Sequence, residues 1–189
     1  MRVVLASASP RRRDLLARLG IEPDIRAAAI DETPHPGETP EQLVTRLASA
    51  KAEAVPRDPG EVVVAADTVV VVDDQILSKP ADDEDATRML QRLSGRDHDV
   101  ISGVHVIADA RTASAVESTT VTMRAMGSGE IEAYVASGEP ADKAGAYAVQ
   151  GAGGIFVTRL DGSDTNVIGL PLATLARLFD DVGVTLFPR

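Results

Sequence analysis

Two short stretches hold residue types that can do chemistry. In ASASPRRR, Ser9 and Pro10 lead directly into Arg11, Arg12 and Arg13. In VVVAADTVVVV, Asp67 and Thr68 interrupt an apolar run of Val62–Ala66 on one side and Val69–Val72 on the other. A bare carboxylate cannot be buried in such a run, so it must reach solvent at a strand end or meet a cation. Asp73-Asp74-Gln75 is a turn signal, which predicts that residues 69–72 pair back on 76–78. Counting outward from that turn sets Lys79 roughly opposite Val69, beside Thr68 and Asp67, with Pro80 holding it extended. An acid, a hydroxyl and an ammonium then converge at one end of a hairpin. The plainer alternative is a hairpin corner without chemistry.

The arginines belong to a strand–helix unit. Residues 2–6 read as a strand, Ser9 as an N-cap and Pro10 as the first helical residue. Leu15, Leu16 and Leu19 form one apolar stripe, and Gly20 ends the helix. The cations therefore fall in the first turn, where the macrodipole is already positive and each costs about 0.3–1 kcal/mol. A helix N-terminus offers free N–H groups to an anion, and arginine adds bidentate phosphate contacts. Three successive residues sweep about 200° of helix surface, so Arg11 and Arg12 are the candidates and Arg13 is expected in solvent. Ordinary surface arginines are the alternative.

Composition limits what else the chain can be. Its 189 residues suit one domain, 1–189, with room for a sizeable core. With 44% apolar residues, 3% aromatic residues and no Trp, that core must be Val, Leu, Ile and Ala. A formal charge of −10 argues against nucleic acid or an anionic membrane as partner, so any anion site must be a local basic pocket. The absence of cysteine removes disulfides, a thiol nucleophile and thiolate zinc together, and fits a reducing compartment. No signal peptide or membrane span is legible, so a soluble cytoplasmic protein is expected.

The remaining elements read as mixed α/β. Ile30–Pro40 is a loop, and Thr39-Pro40-Glu41-Gln42 is a capping box that opens a helix through about Ala54, with Leu43, Val44 and Leu47 buried. Lys51 on that helix either assists the site or is solvated. Residues 61–80 read as two or three strands, 86–93 as a helix, 99–108 and 115–124 as an antiparallel pair, 155–160 as a strand and 172–181 as a helix. His35, His98 and His105 lack metal-ligand spacing and are expected to be structural or superficial. The acidic run 82–85 suits a helix start. GAGG at 151–154 lacks the frame of a dinucleotide fingerprint and reads as a loop beside Gln150.

The motifs ASASPRRRDLL, AADT, SKP, DKAGAYAVQG and GLPL, in this order and spacing, resemble the Maf family of nucleoside triphosphate pyrophosphatases from about Val3 to Leu178. The resemblance implies an elongated α/β fold with a mixed twisted sheet flanked by helices, and two lobes with a central cleft like that of the inosine triphosphate pyrophosphatases. It also implies divalent-metal-dependent cleavage of a nucleotide to the monophosphate and pyrophosphate. Carried over by residue, it makes Asp67 the proton acceptor and Arg11, Thr68 and Gln150 the residues that select substrate. Arg12, Glu32 and Lys79 match further functional positions. The GAYAVQG form resembles the branch that prefers dTTP and UTP, whereas the branch acting on 7-methyl-GTP differs there. Ala148-Val149 replaces a frequent Gly-Ile, and Asp164 stands where an aromatic residue often precedes the Asn.

Charge then suggests a mechanism. Glu32 and Asp67 could hold Mg²⁺ or Mn²⁺ through oxygen ligands and waters. Asp67 would accept a proton from a water attacking the α-phosphorus, while Arg11, Arg12 and Lys79 stabilise the phosphoryl charge. Two other classes stay on the table. A nucleotide-binding regulator of cell division would need the pocket but not Asp67. A nicotinamide-linked oxidoreductase would need the missing G-x-G-x-x-G. A homodimer is left open.

Overall fold

The computed structural model describes residues 2–187. Strand β1, Arg2–Leu5, runs parallel to β2, Asp24–Ile25, and to β3, Glu61–Val72, with Val4 opposite both Asp24 and Val63. Nearly every residue of β3 is buried on both faces, as expected for a central parallel strand. Helix α1, Pro10–Arg18, begins where the sequence places it, although Ser9 caps it by position only. The Ser9 side chain makes no capping bond, and its N–H donates to Ser7 Oγ at 3.2 Å. Helix α2, Pro40–Ala54, opens with the expected capping box: Gln42 N–H donates to Thr39 Oγ1, and Thr39 N–H donates to Gln42 Oε1.

Four further strands complete one mixed sheet: β4, Gln75–Leu77; β5, Asp97–Ala108; β6, Arg111–Met123; and β7, Val157–Asp161. Its order is β2-β1-β3-β5-β6-β7, with β4 antiparallel on β3 and β7 antiparallel on β6. The helices that accompany it are α1 and α2, with α3, Asp83–Leu93; α4, Ser128–Ala136; the short α5, Asp164–Ile168; and α6, Leu172–Asp181. The acidic run starts α3 as expected, with the Asp82 side chain accepting from Asp85 N–H. Among the described residues, no helix is long and apolar enough to cross a membrane.

The chain divides into two compact units. The first contains the chain up to Asp67, Ser102–Glu117 and the chain from Gly169 onward; the second contains Thr68–Ile101 and Ser118–Ile168. In the first unit, Val4, Ala6, Val63, Ala65 and Ile107 pack with Ala52 and Val55 at the end of α2. The two-residue period of β3 then points Asp67 to the same face as Val63 and Ala65, toward α2. Gly103 on β5 allows α2 to lie close: a Cβ there would stand 2.4 Å from Val44 O. In the second unit, Val70, Val72 and Leu77 join Leu90 and Leu93 of α3 and Ile131, Tyr134 and Val135 of α4 in one core with Tyr147 and Phe156.

One alternative falls away and one local expectation changes. Strand β3 passes through Asp67 without a turn, so this residue is not a hairpin corner. The β3–β4 register pairs Val70 with Leu77 and Val72 with Gln75. Continued by count, it sets Lys79 at the level of Thr68, one residue away from Val69. The two-residue turn Asp73–Asp74, both in the left-handed region, makes the difference.

Candidate active site

The first unit gathers a charged cluster at the end of β1, the start of α1 and the facing surface of α2. Lys51 lies on the buried stripe of α2, one helical turn beyond Leu47 and two beyond Leu43. Position rather than chance therefore turns this lysine inward, where it is 8% exposed. Its Nζ stands 2.5 Å from Asp67 Oδ1 and 2.7 Å from Glu32 Oε1. Asp67, also 8% exposed, thus meets the cation that its place in an apolar strand demands. Lys51 is therefore not solvated, and its ammonium lies on the two acids.

Arg12 comes from the first turn of α1. Its Nε donates to Gly169 O at 2.8 Å, and one terminal nitrogen donates to Ser7 Oγ at 3.1 Å. Burial lowers the Arg12 pKa from the ordinary guanidinium value; Asp67 and Glu32 oppose that shift and Arg11 adds to it. Those influences place Arg12 within electrostatic range of both acids and of Arg11. Arg13 is exposed and pairs with its neighbour Asp14, as expected of a solvated arginine. No acidic residue stands in the first turn of α1, so nothing from that helix offsets the positive end of its dipole.

Ser7 was not legible as a site residue. It is buried at the turn between β1 and α1, and its Oγ accepts from both Ser9 N–H and Arg12. With two bonds accepted, its own proton is left to donate. Gly169, in the GLPL stretch, likewise acts through its carbonyl. Neither role leaves a periodic signal in the sequence; the only clue is a buried-size hydroxyl immediately after an apolar strand.

The structure brings Glu32, Lys51 and Asp67 into contact, with Arg12 near enough for the charge of both acids to act on it. Thr68 is the next residue of β3 and is half-buried; period two turns it to the opposite face from Asp67. Lys79 and Gln150 are exposed residues of the second unit. There, Gly145 N–H donates to Ser78 O at 3.2 Å, which ties the approach to Gln150 to the residue before Lys79. Among the described residues, no group of three or more His, Cys, Asp or Glu gathers to hold a metal. His98 is buried with its Nε2 2.8 Å from Tyr147 Oη, His105 is buried with its Nδ1 2.6 Å from Ser114 Oγ, and His35 is exposed, all structural or superficial as expected.

The cluster as a whole offers cations for phosphate oxygens, a hydroxyl, and two carboxylates focused on one cationic position. Comparison with known proteins gives this arrangement its context. The family model for "Maf-like protein" matches residues 2–182. A Myxococcus xanthus protein named dTTP/UTP pyrophosphatase is 53% identical over 185 residues, covering 97% of this chain and 94% of its own. One from Sphingopyxis alaskensis, of the same name, is 53% identical over 186 residues, covering 97% of this chain and 98% of its own. Among solved structures, the Staphylococcus aureus Ham1 protein aligns over 65% of this chain and 72% of its own, at 15% identity and a TM-score of 0.45.

Proposed function

The chain belongs to the Maf family, and from that premise we propose that it hydrolyses dTTP and UTP to the monophosphate and pyrophosphate. The observation that carries this reading is the buried Asp67, sharing the Lys51 ammonium with Glu32 beside Arg12. The names of relatives that match almost the whole chain supply the substrate. In this reading residues 1–189 act as one domain, in the cytoplasm, on a small molecule rather than on nucleic acid or a membrane, as monomer or homodimer.

Each side chain has a role. Arg11 and Arg12, with Lys79, bind phosphoryl oxygens and stabilise the charge that grows on them as the leaving pyrophosphate departs. The Ser7 hydroxyl and Gly169 carbonyl hold the Arg12 guanidinium in place. Asp67 accepts the proton of the water that attacks the α-phosphorus, and Lys51 fixes the carboxylate in its orientation. Thr68 and Gln150 meet the nucleoside. The Gln150 amide carries both a donor and an acceptor, matching the O4 and N3–H edge shared by thymine and uracil.

Glu32 and Asp67 also suit a divalent cation. Both are hard oxygen donors that meet Lys51 through one oxygen each, so Asp67 Oδ2 and Glu32 Oε2 are the atoms that would hold Mg²⁺ or Mn²⁺, which is commonly bound by one or two carboxylates together with substrate phosphates. When bound there, the ion supplies a Lewis acid that draws charge from the phosphoryl oxygens.

A panel of nucleoside triphosphates, assayed with Mg²⁺, tests the reading. Highest kcat/KM for dTTP and UTP is expected. Preference for 7-methyl-GTP would move the chain to the other branch of the family. Binding without turnover of any nucleotide would replace the enzyme with a regulator.

A further inference from the structure

Gln150 is an exposed side chain on a loop, yet the loop itself is fastened from beneath. Ala148 N–H, two residues before it, donates to the Tyr134 hydroxyl at 3.2 Å. Ala152 N–H, two residues after it, donates to Glu139 Oε2 at 3.0 Å, and Gly153 N–H donates to Glu139 Oε1 at 3.0 Å. The two anchors are joined to each other, because the Tyr134 hydroxyl donates to Glu139 Oε1 at 2.7 Å. One connected network therefore grips the loop on both sides of Gln150.

The fit is close. A Cβ on Gly151 would stand 2.3 Å from Glu139 Oε2, and one on Gly153 would stand 2.4 Å from the Tyr134 hydroxyl. Those glycines let the backbone come within hydrogen-bond reach of the two side chains. Tyr134 is itself seated by an edge-on contact with Phe156, and Lys143 Nζ donates to Glu139 O at 2.8 Å. Just upstream, the buried Ala146 is held at φ 61°, a left-handed conformation that a residue with a Cβ keeps only when its surroundings impose it.

We propose that Tyr134 and Glu139 are positioning residues that set base selectivity by fixing the Gln150 loop. This rests on the reading of Gln150 as the residue that meets the base. A glutamine amide can offer donor and acceptor in either order, so it discriminates a 4-oxo pyrimidine from a 4-amino pyrimidine only when its backbone and orientation are held. The carboxylate suits this task because its oxygens accept three bonds, two from backbone N–H groups and one from a hydroxyl. In Glu139→Gln one oxygen becomes an amide donor and must abandon at least one of these partners. Tyr134→Phe removes the hydroxyl while leaving the ring on Phe156.

The test compares kcat and KM for dTTP, UTP and CTP in the parent, Tyr134→Phe, Glu139→Gln and Gln150→Glu, with hydrogen exchange of the 146–154 amides and thermal unfolding of each. Both positioning variants are expected to lower the dTTP-to-CTP and UTP-to-CTP ratios of kcat/KM by about five- to tenfold. Exchange should rise at residues 148–153, and adding Tyr134→Phe to Gln150→Glu should lower the ratio no further. If Gln150→Glu collapses the ratio while both positioning variants leave it unchanged, or slow all nucleotides alike, the inference falls and the Gln150 reading stands. If Gln150→Glu itself leaves the ratio unchanged, that reading fails and the inference fails with it. Should Glu139→Gln not fold, Tyr134→Phe decides by the same criteria.

Discussion

Lys51 Nζ lies 2.5 Å from Asp67 Oδ1, joining the inward stripe of α2 to the centre of an otherwise apolar strand. A buried carboxylate and a buried ammonium each require the other, because leaving either one alone is strongly destabilising. Lys51→Met keeps an unbranched side chain, one atom shorter, and removes its charge. Asp67 and Glu32 then face each other without the shared cation. A fall in kcat of at least about tenfold is expected, together with a lowered Tm. Steady-state kinetics and thermal unfolding check it; unchanged kcat would mean that Lys51 only packs α2.

Asp67→Asn is nearly isosteric but cannot accept the proton. The expected loss in kcat is about 10²–10⁴, with circular dichroism unchanged. Activity within a few-fold of the parent in a folded variant would remove Asp67 from the chemistry.

The pH dependence of stability carries a signature of His98. Burial pushes its pKa down from the ordinary 6.5 to about 4, against the opposing pull of Asp99 and Asp97. A histidine with a depressed folded pKa is neutral in both states above 6.5. Below that, the unfolded chain takes up the proton first, so stability is lost as pH falls from about 6.5 to about 4, by about 3 kcal/mol in total. His98→Phe cannot titrate, so the stability difference between parent and variant should shift by that amount across the window. Denaturant unfolding at several pH values measures it; a difference that does not change with pH would show that His98 does not titrate in this range. Glu38, Glu61 and Glu130, each held near 2 by hydrogen bonds, chiefly from Arg46, Arg26 and Arg124, lose their contribution only below the ordinary carboxylate range, in both proteins alike.

Gly103 links the fold to the site. A Cβ there would press on the Val44 carbonyl and on Thr45 N, both backbone atoms of the helix that carries Lys51. Gly103→Ala is expected to destabilise by about 1–3 kcal/mol and to lower kcat by displacing α2. Gly129, at the start of α4 with nothing within 4 Å of its would-be Cβ, is the control. Gly129→Ala should leave Tm unchanged or raise it slightly. Equal Tm values for the two alanine variants would contradict the close approach at Gly103.

Much of this was legible before the structure. The capping box at Thr39 and the helix after Pro10 carry strong local chemistry and stand where the pattern puts them, whereas the β3–β4 turn is one residue shorter than its pattern suggests. Asp67 was legible as a residue that must find a cation. Its partner was not, because Lys79 lies near in sequence whereas Lys51 is brought in by helix–sheet packing. The clue was present: Lys51 continues the Leu43–Leu47 stripe, but a lysine on such a stripe can also extend to solvent. Ser7 and Glu139 were illegible for another reason. They act on backbone N–H groups or hold another side chain, and such partners leave no pattern in a single sequence.

The position of bond cleavage tests the central claim most directly. Hydrolysis of dTTP in H₂¹⁸O with Mg²⁺, followed by mass spectrometry of both products, reports which phosphorus the water attacks. One ¹⁸O in the nucleoside monophosphate and none in pyrophosphate is the expected result, since Asp67 is assigned to a water attacking the α-phosphorus. Label in the pyrophosphate, or release of orthophosphate with the nucleoside diphosphate, would contradict it.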